Sequence, residues 1–230
     1  MITIRKSEDR GLVRENWLES RHTFSFDTYH DPDWMRFRNL RVINEDWVAP
    51  GNGFPMHPHR DMEIVTFILE GALEHRDSMG NRETIRAGEL QRITAGSGIR
   101  HSEANPSDSE TVHLLQIWIF PDEKGLEPSY EVRRFGFSGN GLRVIASRDG
   151  RDGSAVINQD VSVFAGSIDS QGRLDYSLTP GRHAWIQVIE GQGELNGNLL
   201  SMGDGAAVSE EPGLALEAKD VWRFLLFDLN

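Results

Sequence analysis

The apolar runs of this chain are short, and that limits its fold more than any other feature. LRVINEDWVAP from Leu40, EIVTFILEG from Glu63, ELQRITAG from Glu89, VHLLQIWIF from Val112, AVINQDVSVFAGSI from Ala155, HAWIQVIEG from His183 and WRFLLFDL from Trp222 are rich in Val, Ile, Phe, Leu and Trp. Gly, Pro, Asn and Asp close them at intervals. Such runs fit strands and are too short to cross a bilayer. Alternation is clean at Val161, Val163 and Ala165 and imperfect from Leu40 to Trp47. No helical period persists beyond a few turns; short helical pieces are expected only at Asp31–Phe37 and Asp122–Gly125. The pattern predicts an all-β protein.

The chain also echoes itself. FILEGALEH followed by IRAGELQRITAGSG in the first half corresponds to QVIEGQGELNG followed by LLSMGDGAAVSEEPG in the second. Each reads as strand, Glu-Gly turn (Glu70–Gly71, Glu190–Gly191), strand, glycine–acid turn (Gly88–Glu89, Gly203–Asp204), strand. Two copies of one β module imply two double-sheet jelly-roll barrels. The polar stretch Pro121 to Pro128 is the expected boundary, giving an N-terminal domain 1–124 and a C-terminal domain 125–230.

With 230 residues and 38% hydrophobic content, the chain can build such cores. It has no cysteine, so thiolate metal sites, disulfides and cysteine nucleophiles are excluded. Any metal must be held by nitrogen and oxygen. A net charge of −12 disfavours direct nucleic acid or anionic membrane binding, despite the local cluster Arg36, Arg38 and Arg41. The start MITIRKSEDR lacks an apolar signal core, so a cytoplasmic protein is expected. Glycine-rich nucleotide motifs and the G-x-S-x-G elbow are missing. Glu210 and Glu211 sit in a polar turn rather than as a glycosidase pair.

Two short patterns point to a metal. His57 and His59 are two apart, so on a strand they face one way, and Pro58 between them suits a strand start or edge. His101 and Glu103 repeat that spacing after a second glycine turn in the same module. If the two strands meet, three imidazoles and one carboxylate converge, a set suited to a divalent first-row metal with positions left open. Glu63 shares the parity of His59 and either faces the same cavity or hydrogen-bonds to a ligand histidine. His75 is expected at the cavity mouth or exposed on a hairpin, and His113 as a satisfied core histidine. His22 and His30 lie in an aromatic-rich segment, and His183 has no partner in its half.

HTFSFDTYHDPDW, LRVINEDWVAPGNGFPMHPHRDMEIVTFILEG, HRDSMGN, ITAGSGIRHSEANPS and LLQIWIFP together resemble the pirin family of the cupin superfamily, and the likeness continues through ASRDGRDGS. The resemblance implies a bicupin of two tandem cupin barrels with one metal site, in the N-terminal barrel. It puts the ligands on His57, His59, His101 and Glu103 and keeps Glu63 out of the coordination sphere. One divalent ion per chain is implied, iron(II) first, with zinc, manganese, cobalt, nickel or copper as other occupants. Bacterial pirins look like quercetin 2,3-dioxygenases, which implies a flat flavonol-like phenol and dioxygen as substrates, with Glu103 also the general base. The alternative is an iron-dependent, redox-sensing regulator that binds a protein partner. The family's usual state implies a monomer.

Overall fold

The computed structural model describes residues 1–137 and 139–230. The described chain is strands joined by turns, with three short 3-10 turns, and no helix is long and apolar enough to cross a membrane. Of the two expected helical pieces, the first is one of these turns, Pro32–Trp34, whose start is capped by the Asp31 carboxylate accepting from the Asp33 N–H. At Asp122–Gly125 the expectation fails. The segment is a series of bends, and Asp122 N–H and Gly125 N–H donate to Asn158 and to the Asp61 carboxylate instead of to a helical ladder.

The chain forms two compact units. One comprises residues 11–136 with 155–159, the other residues 1–10, 137–154 and 160–230. In the first, a large antiparallel sheet runs Ser129–Arg134, Glu89–Thr94, Glu63–Glu70, Val112–Ile119, Leu40–Val48, Leu18–His22, Gly11–Arg14. A small sheet runs Gly53–His59, Ile99–Ala104, Ala72–Asp77, Arg82–Arg86.

The second unit repeats that order. Its large sheet includes Ile2–Arg5, Gly205–Val208, His183–Glu190, Trp222–Leu229, Val161–Ile168 and Gly141–Ser147 in sequence; its small sheet runs Arg173–Ser177, Gly213–Ala218, Gln192–Leu195, Asn198–Ser201. The strand beside Gly205–Val208 thus comes from the start of the chain, where the first unit uses Ser129–Arg134 beside Glu89–Thr94.

The Glu-Gly turns carry the repeat at atomic detail. Gly71 has φ +75° and Gly191 φ +77°, a region where side chains are strained. A Cβ at Gly71 would lie 3.0 Å from the Thr111 carbonyl oxygen, and one at Gly191 2.0 Å from that of Val221. Both carbonyls immediately precede the strand that fills the middle of each large sheet, so the same turn closes on the same strand in both copies.

Each barrel holds its own core. In the first, Val48, Ile68, Leu73, Ile85, Val112 and Leu114 form one buried cluster, and Ile64, Ile93, Ala95 and Ile99 another. In the second, one cluster spans both sheets and includes Ile186, Leu200, Ala206, Leu214, Leu216, Trp222 and Leu226.

Gly191→Ala is expected to cost about 2–4 kcal/mol in urea denaturation, from left-handed strain plus the carbonyl clash. Gly125→Ala, with φ +71° but nothing within 4 Å of its Cβ, is expected to cost about 1 kcal/mol.

Candidate metal centre

The site arises from one strand pairing. Gly53–His59 and Ile99–Ala104 run antiparallel with His101 opposite His57 and Ile99 opposite His59. A register shift between His101 and Glu103 brings Glu103 opposite Phe54. On its other side Ile99–Ala104 pairs with Ala72–Asp77, placing Glu103 opposite His75. Burial alternates along this strand, so Ile99, His101 and Glu103 face the interior.

His57, His59 and His101 each bring a donor atom within 4.8 Å of the others. Their ring centroids are 4.5–4.8 Å apart. His57 Nδ1–H donates to the Pro55 carbonyl at 2.8 Å, which fixes the tautomer and leaves Nε2 as a bare acceptor. That Nε2 accepts a hydrogen bond from His101 Nε2–H at 3.0 Å, a contact that a cation held by both rings would replace. Burial first, and then the neighbouring imidazoles His101 and His57, push the His59 pKa from 6.5 down to about 4. Burial, with His57 and His75 adding to it, pushes His101 down to about 3. Both rings are therefore neutral at pH 7, the form that offers a lone pair.

Glu103 lies beside this triad rather than among its nitrogens. Its Oε1 is 3.9 Å from His101 Nδ1, and its donor atom groups with those of His101 and His75. Two amides hold it: Gln91 Nε2 donates to Oε1 at 2.7 Å and Gln116 Nε2 to Oε2 at 3.1 Å. Gln116 is itself oriented, because its Oε1 accepts from Trp118 Nε1.

Other histidines divide sharply. His75 is neither at the mouth nor exposed: it is fully buried, donates from Nε2 to the Asp77 carboxylate at 3.1 Å and stacks on Tyr130. The hairpin that carries it folds back as an interior strand of the small sheet, which the local sequence LEHRD does not reveal. His113 pairs with Glu45 at 3.0 Å and stacks on Trp47. His22 is buried, His30 is exposed, and His183 bonds to Ser209 Oγ. Glu63 is buried too, but its partners are Thr94 and Asn158 rather than a ligand histidine, and burial raises its pKa.

Sequence reading missed the residues that support the site. Gln91, Thr66, Gln116, Asn44 and His22 lie directly opposite one another on five successive strands of the large sheet. Thr66 in EIVTFILE and Gln116 in VHLLQIWI each interrupt an apolar run, and that anomaly was the available signal; Gln91, Asn44 and His22 have polar neighbours in their own strands and gave none. A cavity of about 330 Å³ opens in front of His57 and His59, walled by Leu18, Phe26, Phe54 and Trp118 and floored by Gln116, Asn44, His22, Ser20 and Asp46. Trp118 meets His59 edge-on, with centroids 4.9 Å apart.

Comparison with known proteins follows this geometry. The Pirin family profile matches residues 4–119, and the profile described as the quercetinase C-terminal cupin domain matches 144–229. A quercetin 2,3-dioxygenase of Escherichia coli K12 is 46% identical over 229 residues, covering 100% of this chain and 99% of that protein. The crystal structure of YhhW from Escherichia coli superposes with TM-score 0.98 at 46% identity, covering 100% of this chain and 98% of that one. A structure described as bacterial pirin YhhW from Escherichia coli in complex with nickel(II) gives TM-score 0.97 at 46% identity, covering 100% and 99%. The two barrels are cupin domains.

The depressed pKa of His59 has a consequence for metal-free protein. As pH falls from 6.5 towards 4 the unfolded chain takes up a proton that the folded one refuses, so stability drops across that window. The fall of the urea midpoint over this range is expected to be shallower in His59→Gln than in the parent.

Proposed function

The chain belongs to the pirin family, and on that premise we propose that it is a metal-dependent dioxygenase of flavonol-like phenols. In this reading it opens the central ring with dioxygen and releases carbon monoxide. The observation that carries the reading is the convergence of three imidazoles, two of them on the wall of an aromatic-lined cavity. The donor chemistry fits a divalent cation: His57 turns its Nδ1–H to Pro55 and its Nε2 to the cluster, His59 and His101 resist protonation, and no thiolate is present. His57, His59 and His101 would hold the ion with Glu103 as the fourth donor, and iron(II) is the occupant we propose. Bound there, the cation supplies Lewis acidity that lowers the pKa of a hydroxyl oxygen brought against it.

The remaining work falls to the chain. Glu103 accepts the proton of the ring hydroxyl as general base. Gln91 and Gln116 hold both of its oxygens and so aim the carboxylate. Phe26, Phe54 and Trp118 offer edges and faces to a flat ring system and keep bulk water from it. All of these groups come from one compact unit.

The test is quercetin turnover followed by oxygen uptake and carbon monoxide release, aerobically and under argon. His59→Ala and His101→Ala are expected to lose bound metal and to fall to background. Glu103→Gln at saturating metal is expected to lose about 10²–10⁴-fold in kcat. Aerobic quercetin loss that persists unchanged in metal-free His59→Ala would overturn the reading.

A further inference from the structure

The cavity floor contains a polar group that neither metal holding nor proton transfer uses. Asn44 lies in the middle of Leu40–Val48, is 3% exposed, and lines the cavity. Its Oδ1 is buried without a hydrogen-bond partner in the protein. A buried amide oxygen left unpaired is costly, and native interiors rarely tolerate one without a ligand or water to meet it.

Its position sets what that ligand must be. Asn44 is directly opposite Gln116, and Gln116 donates to Glu103. Strands in a sheet are about 4.8 Å apart, so Asn44 stands one strand further from the candidate base than Gln116 does. On the far side His22 is opposite Asn44, and two residues along the same face Asp46 is already engaged by Ser20. Phe26, Phe54 and Trp118 also line the cavity and suit a flat aromatic body, and the indole N–H is committed to Gln116; Glu15 and Asp27 are the other charged lining residues.

We propose that Asn44 is a specificity-determining residue, whose amide receives a hydroxyl on the part of a flat phenolic substrate remote from its metal-binding oxygen. The inference rests on the phenol-dioxygenase reading for the class of ligand and extends it to the substitution pattern preferred. An amide both accepts and donates, so a ring hydroxyl satisfies it, whereas a hydrogen at the same ring position leaves it unpaired. Sites built in this way discriminate against the analogue that lacks the hydroxyl.

The probes are 3-hydroxyflavone, galangin, kaempferol and quercetin, which add ring hydroxyls stepwise while keeping the same 3-hydroxyl and 4-oxo pair. Binding to the iron(II)-loaded chain under argon is read by quenching of tryptophan fluorescence. In the parent, Kd is expected to fall about tenfold at one step of the series. In Asn44→Leu, of similar size but without a hydrogen-bonding group, that step is expected to shrink to within about twofold. Asn44→Ala gives the same readout if the leucine variant fails to fold. An equal step in parent and variant, a flat series in the parent, or no binding by any probe overturns the inference. Oxygen uptake on the same samples in air separates it from the reading beneath it. An Asn44-dependent step without uptake supports this contact and refutes the dioxygenase. Uptake with a flat series does the reverse.

Discussion

Three imidazoles are held with their ring nitrogens within 4.8 Å of one another, and the rest of the first barrel is arranged around that fact. The register of two antiparallel strands sets His101 against His57, and Ile99 against His59. Burial then makes charging the cluster unfavourable, as the depressed pKa values of His59 and His101 record. His57 turns its Nδ1–H to the Pro55 carbonyl and its Nε2 to His101 Nε2 at 3.0 Å, so the two rings share one hydrogen bond where their donor atoms meet. A cation is the partner that satisfies such an arrangement best. The five-strand polar row beneath it extends the same logic, since Gln91 and Gln116 fix the carboxylate that stands next to the nitrogens.

The second barrel shows what the same backbone does without this requirement. Where the first unit has Ile99 opposite His59 and His101 opposite His57, the second has Leu214 opposite Tyr176 and Leu216 opposite Leu174. Where the first has the row Gln91, Thr66, Gln116, Asn44, the second has Ala206, Ile186, Leu226 and Phe164 in register. Those side chains belong to its apolar core cluster or pack against it. One copy spends its inner face on a polar site and the other on hydrophobic contact, while the Glu-Gly turns and the strand order are common to both.

Much of this was legible in the chain itself. Short strand runs, turn glycines and the internal echo report local conformation, and local conformation is what a sequence states most directly. H-x-H and H-x-E were readable because strand parity puts residues two apart on one face. What stayed hidden depended on pairing between distant segments. Nothing near His75 announces that its hairpin closes against Ile99–Ala104, and nothing in ITIR announces that Ile2–Arg5 pairs with Gly205–Val208. Nor does parity say that the carboxylate of Glu103 turns to Gln91 and Gln116, beyond a bulge, rather than directly towards His57. Thr66 and Gln116, each set in an otherwise apolar run, were the unread local clue, and Gln116 lines the cavity.

X-ray absorption at the metal edge of the iron(II)-loaded chain tests the central claim most directly. The account predicts an inner shell of nitrogen and oxygen at about 2.0–2.2 Å with the outer-shell scattering of about three imidazoles, and loss of one imidazole's contribution in His101→Ala. An inner shell of oxygen alone, or outer-shell scattering unchanged by that substitution, would contradict it.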